Sequence, residues 1–138
     1  MTGTIWAAVL KNRLTRCRVQ RAVILRLMVS NPNRRIALAE FVKRLRQTLP
    51  ASVLDVWLFG SEARGEATPE SDLDVLVVVQ PDHERSKLED RIVDIAFDVN
   101  LEFNVYISPS VVTPGILNHP VWRETPFLER VLREGVPL

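Results

Sequence analysis

The chain has 138 residues, 46% hydrophobic and 25% charged, with a formal net charge of +1 at pH 7. That size and balance suit one globular domain with a proper core, and no apolar run approaches the roughly 20 residues that span a bilayer. Cys17 is the single cysteine, which excludes an internal disulfide and, with no secretory signal pattern, points to a reducing cytoplasm.

The small net charge conceals an uneven distribution. Residues 1–35 hold eight basic residues (Lys11, Arg13, Arg16, Arg18, Arg21, Arg26, Arg34, Arg35) and no acid. The other ten Lys and Arg share the remainder with all 17 acids, a net of −7. Residues 1–33 therefore read as a basic N-terminal extension on an acidic domain formed by residues 34–138. The arm is expected to have a minor role. Contact with nucleic acid or an acidic partner through its arginines is a secondary reading, since no nucleic-acid fold signature accompanies them.

Residues 5–10 and 19–29 are apolar enough for helix, with arginines interrupting the second stretch. Asn31-Pro32-Asn33 reads as a break. Over 34–48, Ile36, Leu38, Phe41, Val42 and Leu45 recur near helical spacing and predict a core-facing stripe, stopped by Pro50. Val53–Phe59 is β-branched and aromatic and predicts a strand ending at Gly60. Gly60-Ser61 leaves that strand, residues 63–66 predict a short helical turn, and 66–71 form a polar linker punctuated by Pro69. A second strand is predicted over 72–79. Asp82 is expected to cap a helix over 83–100, with Leu88, Ile92, Ile95, Ala96 and Val99 on one side and the charges outward. A third strand is predicted over 103–108, ended by Pro109. Thr113-Pro114 and Thr125-Pro126 predict helix starts. The last helix, over 126–134, ends at Gly135, which reads as a left-handed cap. Trp6, Trp57 and Trp122 read as packing residues, and His83 as a solvated surface residue.

Chemistry concentrates in residues 58–79, LFGSEARGEATPESDLDVLVVV. Exposed backbone N–H groups where a strand turns into a helix favour an anion, and Gly60 lets the backbone approach it closely. Ser61 adds a hydroxyl donor, and Arg64 a rigid positive fork suited to phosphate oxygens. On a strand from 72, Asp72 and Asp74 share one face, about 7 Å apart. Paired carboxylates suit magnesium, which takes oxygen ligands and binds through one or two carboxylates plus substrate phosphates. Together the turn and the acids describe a site for a nucleoside triphosphate with its magnesium.

The run Gly60-Ser61-x-x-Arg64-Gly65, a short polar linker, then Ser71-Asp72-x-Asp74 entering an apolar strand resembles the signature of the DNA polymerase β-like nucleotidyltransferase superfamily. It is most similar to the small stand-alone bacterial members, the minimal nucleotidyltransferases. The resemblance covers residues 34–108 and extends more softly into the C-terminal region. It implies an α+β fold, a small mixed β-sheet with helices packed against one face, as in a polymerase palm. It also implies magnesium-dependent transfer of a nucleoside monophosphate, AMP from ATP, to a hydroxyl of a partner protein. Asp72 and Asp74 would be catalytic and hold the metal, while Gly60, Ser61, Arg64 and Ser71 would bind the nucleotide. The implied partner is a HEPN-family toxin, with this chain as its antitoxin; no membrane is involved, and a homo-oligomer is compatible with the pattern. Catalysing members of the superfamily carry a third carboxylate on the next core strand. On a strand over 103–108, Glu102 and Asn104 have the matching parity and are the expected additional metal ligands. Asn104 can ligate through its carbonyl oxygen but cannot serve as a base. The alternative reading is a degenerate binding protein of the same fold that neutralises its partner by contact.

Overall fold

The computed structural model describes residues 29, 31–60, 63, 68 and 71–138. The helices expected within 1–28, with Trp6 and Cys17, and the turn residues Ser61 and Arg64 lie outside the described residues.

Helix α1, Pro32–Thr48, begins where the sequence suggested a break. The Asn31 side chain accepts from the backbone N–H groups of Asn33 (2.9 Å) and Arg34 (3.3 Å), and Pro32 suits a first turn whose N–H would be unpaired anyway. Leu38, Phe41 and Leu45 are buried as the periodicity requires. Ile36 instead faces solvent, and Ala37 takes the core position. Strand β1, Val53–Phe59, has its expected bounds, and β2 runs Leu73–Val79. They pair antiparallel with Phe59 opposite Asp74 and Trp57 opposite Leu76.

Helix α2, Arg85–Phe103, is longer and later than expected. Asp82 accepts from Glu84 N–H at 3.0 Å but lies before the capping position, which Glu84 occupies without a side-chain bond. The strand expected over 103–108 begins four residues later. Phe103 belongs to α2, Asn104 closes that helix in the left-handed region (φ 52°), and strand β3 runs Ile107–Val112. Asn is among the few residues with a side chain that enter this region readily. Asn100 then ties helix to strand: its Oδ1 accepts from Ile107 N–H at 2.7 Å, and its Nδ2 donates to Ile107 O at 3.2 Å. Pro109 lies within β3 instead of ending it. The strand order β3-β2-β1-β4 makes β3 an edge, where the missing N–H is tolerated.

Three short helices follow, α3 Pro114–Asn118, α4 Pro120–Arg123 and α5 Pro126–Glu134. His119 Nδ1 accepts from Val121 N–H at 3.2 Å, capping α4. A two-residue strand, β4 Val136–Pro137, pairs antiparallel with β1. Strands β2 and β3 are parallel, so the sheet is mixed and the fold is α+β. No helix among the described residues is long and apolar enough to cross a membrane.

Both sheet faces are covered, not one. Leu58, Val75, Val77 and Ile107 pack with Phe41 of α1 and Ile92 and Val99 of α2. Trp57, Leu76 and Val78 pack on the other side with Leu117 of α3 and Leu128 and Val131 of α5. Trp122 is not a packing residue, being 54% exposed. Trp57 is fully buried, and its Nε1–H donates to Oδ2 of the buried Asp55 at 2.6 Å, a pairing that satisfies two polar groups inside the second layer.

Gly135 is not a left-handed cap. Its backbone is extended (φ −60°, ψ 138°), so conformation alone does not require glycine. Space does: a Cβ there would stand 2.8 Å from Trp57 Cε3 and overlap the Val131 carbonyl. Gly135→Ala should therefore cost about 1–3 kcal/mol of stability through overpacking against a rigid ring. Urea denaturation of both proteins measures the difference, and an unchanged midpoint would show that the Trp57 ring and the end of α5 both shift freely.

Candidate active site

Asp74 is the second residue of β2. Leu73 and Val75 point to the layer of α1 and α2, so Asp74 points to the opposite face. Deeper along that face Leu76 and Val78 are covered by α3 and α5, whereas Asp74 is only half-buried. Its lateral neighbours are Phe59 on β1 and Ser108 on β3. The Phe59 ring is held edge-on to Phe127 of α5, with centroids 5.4 Å apart, which walls one side of the position.

Asp72 is exposed and precedes β2, whose first residue is Leu73. The chain around it is pinned on both sides. Leu73 N–H donates to Tyr106 O at 2.8 Å. The guanidinium of Arg34, itself only 6% exposed, donates to Ser71 O at 2.7 Å. The Ser71 hydroxyl accepts from Thr68 N–H at 2.9 Å and lies 3.0 Å from Thr68 Oγ1, while Ser71 N–H donates to Thr68 O. Ser71 thus organises the turn that delivers Asp72.

Gly60 joins the turn to the carboxylate. It sits at φ 77°, where a side chain is strained, and a Cβ there would overlap the Asp74 carboxylate and stand 3.2 Å from its Cγ. Glycine is needed twice at this point, for the backbone conformation and for the approach to Asp74. The strand-to-turn junction and the first acid of β2 are therefore brought into one place by the β1–β2 register.

Glu102 and Asn104 do not join them. Both were expected on a sheet face, but Glu102 lies in the last turn of α2 and Asn104 is that helix's exposed cap. The Glu102 carboxylate is engaged by Arg44 at 2.6 Å. Its hydrogen bond, with that of Glu40 at 2.8 Å, raises the Arg44 pKa above its ordinary value. The helix extends past 100 because the left-handed turn falls at Asn104, which moves the strand start to Ile107 and puts Ser108 across from Asp74. Among the described residues no group of three His, Cys, Asp or Glu could hold a metal ion. Sequence reasoning missed Ser108, since parallel register has no local signal, and Arg34, which counted only toward the basic charge of residues 1–35.

Residues 38–131 match the nucleotidyltransferase domain family, and the chain belongs to it. It is a nucleotidyltransferase. Two similar proteins come from Methanocaldococcus jannaschii. "Putative protein adenylyltransferase MJ0604" is 33% identical over 104 residues, 75% of this chain and 95% of that one. "Putative protein adenylyltransferase MJ0141" is 34% identical over 97 residues, 70% of this chain and 90% of that one. Two solved structures overlay on the fold, each with a TM-score of 0.47. One, "Structure of putative minimal nucleotidyltransferase", is 28% identical and covers 75% of this chain and 93% of its own. The other, "Crystal structure of the toxin-antitoxin with AMP-PNP", is 19% identical and covers 72% and 69%.

Gly60→Ala tests the junction. The left-handed backbone costs about 1–2 kcal/mol for a residue with a Cβ, and the Asp74 carboxylate must also move. Thermal unfolding should show the loss, and ATP affinity by calorimetry should fall in the variant that remains folded. Undiminished affinity would separate Gly60 from the site.

Proposed function

We propose that this nucleotidyltransferase moves AMP from ATP to a hydroxyl group of a partner protein. The observation that carries the reading is the close approach of the Gly60 backbone to Asp74, which sets the end of β1 that enters the Gly-Ser motif beside a carboxylate. The donor set suits magnesium, with two hard oxygen ligands at the entry of one strand, one half-buried and one exposed. Asp72 and Asp74 would hold that ion, and when bound it supplies charge neutralisation for the triphosphate.

The chain's own residues do the rest by positioning and by fixed charge. By residue type, the Gly60-Ser61 motif would supply backbone N–H groups and a hydroxyl donor to the β and γ phosphates. Arg64 would supply the positive fork suited to the remaining phosphate oxygens; Ser61 and Arg64 lie outside the described residues. Arg34 and Thr68 hydrogen-bond to Ser71 and so restrain the residue immediately before Asp72, which would lower the reorganisation needed to present that carboxylate. The acceptor oxygen attacks the α-phosphorus, the bond to the bridging oxygen breaks, its electron pair leaves with pyrophosphate, and the hydroxyl proton passes to water. The protein acceptor is supported by the names of the two relatives, each printed as "Putative protein adenylyltransferase". A HEPN-domain toxin as acceptor, with this chain as its antitoxin in the cytoplasm, is the finer proposal, supported by the likeness of the motif to small stand-alone family members.

One observation favours a second reading, a protein that neutralises its partner by contact alone. Ser108, opposite Asp74, is a neutral residue on the neighbouring strand where a third acid would share the face.

Two experiments follow from these readings. Calorimetry with ATP should show binding that needs magnesium and is lost in the Asp72→Ala, Asp74→Ala double variant. Ser61→Ala and Arg64→Ala should each weaken ATP by about 1.5–3 kcal/mol, the value of a charge-assisted hydrogen bond, and leave adenosine nearly unchanged. Equal ATP binding by the folded double variant would defeat the metal assignment.

The choice between enzyme and contact inhibitor turns on β3. Ser108→Asp places a carboxylate beside Asp74 and should raise AMP transfer to a co-purified partner, read by radiolabelled ATP. Asn104→Asp, on the helix cap, should leave transfer unchanged. A response to Asn104→Asp and none to Ser108→Asp would reverse the assignment of the face.

A further inference from the structure

Helix α2 carries two regular rows on its solvent side. Val93, Phe97 and Leu101, spaced by four, are 51%, 60% and 69% exposed. Residues so spaced stack along one face of a helix, and this face lies opposite the one formed by Ile92, Ala96 and Val99, which are buried. Beside it run Asp90, Asp94 and Asp98, also spaced by four and exposed. None of the three makes an ion pair or side-chain hydrogen bond among the described residues, although Arg44, Arg85 and Lys87 nearby are all paired with acids. An apolar row edged by unpaired carboxylates suits a segment with the opposite edge, an apolar row flanked by arginines.

The chain contains such a segment, and it joins the fold at the right end. Residues 1–28 hold six basic residues and no acid, and Val19, Val23 and Leu27 repeat the spacing of four beside Arg18 and Arg26. Val29 is fully buried, and its carbonyl accepts from Arg35 at 2.8 Å. Asn33 Nδ2 donates to Phe103 O at 2.7 Å. The arm therefore enters the body near the C-terminal end of α2, two residues beyond Leu101. The twelve residues from Val29 back to Cys17 reach about 18 Å even as helix, against about 12 Å between Leu101 and Val93.

We propose that the basic N-terminal arm docks in cis along the Val93–Phe97–Leu101 face of α2, its arginines meeting Asp90, Asp94 and Asp98. The arm would then be part of the folded unit and not a minor appendage. This inference does not depend on the nucleotidyl-transfer reading.

Cys17, the single cysteine, allows a direct test on the full chain. A nitroxide attached there should suppress the NMR amide signals of residues 90–101 in the same molecule. The suppression should be lost in Phe97→Asp and weakened in Asp94→Lys, Asp98→Lys and by added salt. Phe97 is exposed, so its substitution leaves the core intact. A second label, Thr15→Cys in a Cys17→Ser background, should give the same pattern and removes any effect particular to the Cys17 adduct. Suppression absent from α2, centred elsewhere, or untouched by the three substitutions overturns the proposal. Suppression only when nitroxide-bearing and isotope-labelled copies are separate molecules overturns the docking in cis and assigns the face to a second copy.

Discussion

Burial of β2 on both faces is the constraint from which the rest of the structure follows. This strand pairs with β1 on one side and β3 on the other, and Val75 through Val79 are fully inaccessible. A strand covered above and below must be apolar almost throughout, and Leu-Asp-Val-Leu-Val-Val-Val is, with one exception. Asp74 falls where the cover from α3 and α5 gives out, so the only charged position in the strand coincides with the only place on it that reaches solvent. Because β2 cannot slide without driving Asp74 into the core, its register with β1 is fixed. That register places Gly60 against the carboxylate.

A parallel neighbour imposes the second requirement. Strands β2 and β3 run in the same direction, so the chain must cross back over the sheet, and α2 is that crossover. The crossover ends at a left-handed Asn104 and is stitched to β3 by Asn100. Each contact is local, yet together they decide which residue of β3 meets Asp74. Moving the helix end by a single residue would shift the parity of the edge strand and exchange Ser108 for Ile107 on the Asp74 face.

Charge is segregated in the same architecture. Arg34 is drawn inside to hold the Ser71 carbonyl, and Arg44 is occupied by Glu40 and Glu102. Asp55 is satisfied within the second core layer by Trp57 and the Val56 N–H. Asp90, Asp94 and Asp98 are left as an acidic row on the outer side of α2. Exposed ion pairs such as Arg85–Glu89 and Lys87–Glu84 contribute little to stability. The Asp74 end of β2 and the outer face of α2 lie on separate elements.

The sequence by itself determined the family, the two central strands and the last helix, and it singled out the Gly60–Asp74 segment as the candidate site. These rest on local chemistry: alternation and β-branching for strands, proline and glycine punctuation, and a motif whose spacing is carried by consecutive residues. Only the tertiary structure decided that Glu102 and Asn104 leave the sheet, that Ser108 faces Asp74, that Arg34 is interior and Ile36 exterior, and that Gly135 is required by Trp57. Each of these depends on contacts between residues distant in the chain, or on a single left-handed turn that an Asn permits without demanding. Local preference cannot choose between a helix that stops at 100 and one that stops at 103. Packing of Val99 and Phe103 against α1, with Asn100 engaging Ile107, makes that choice.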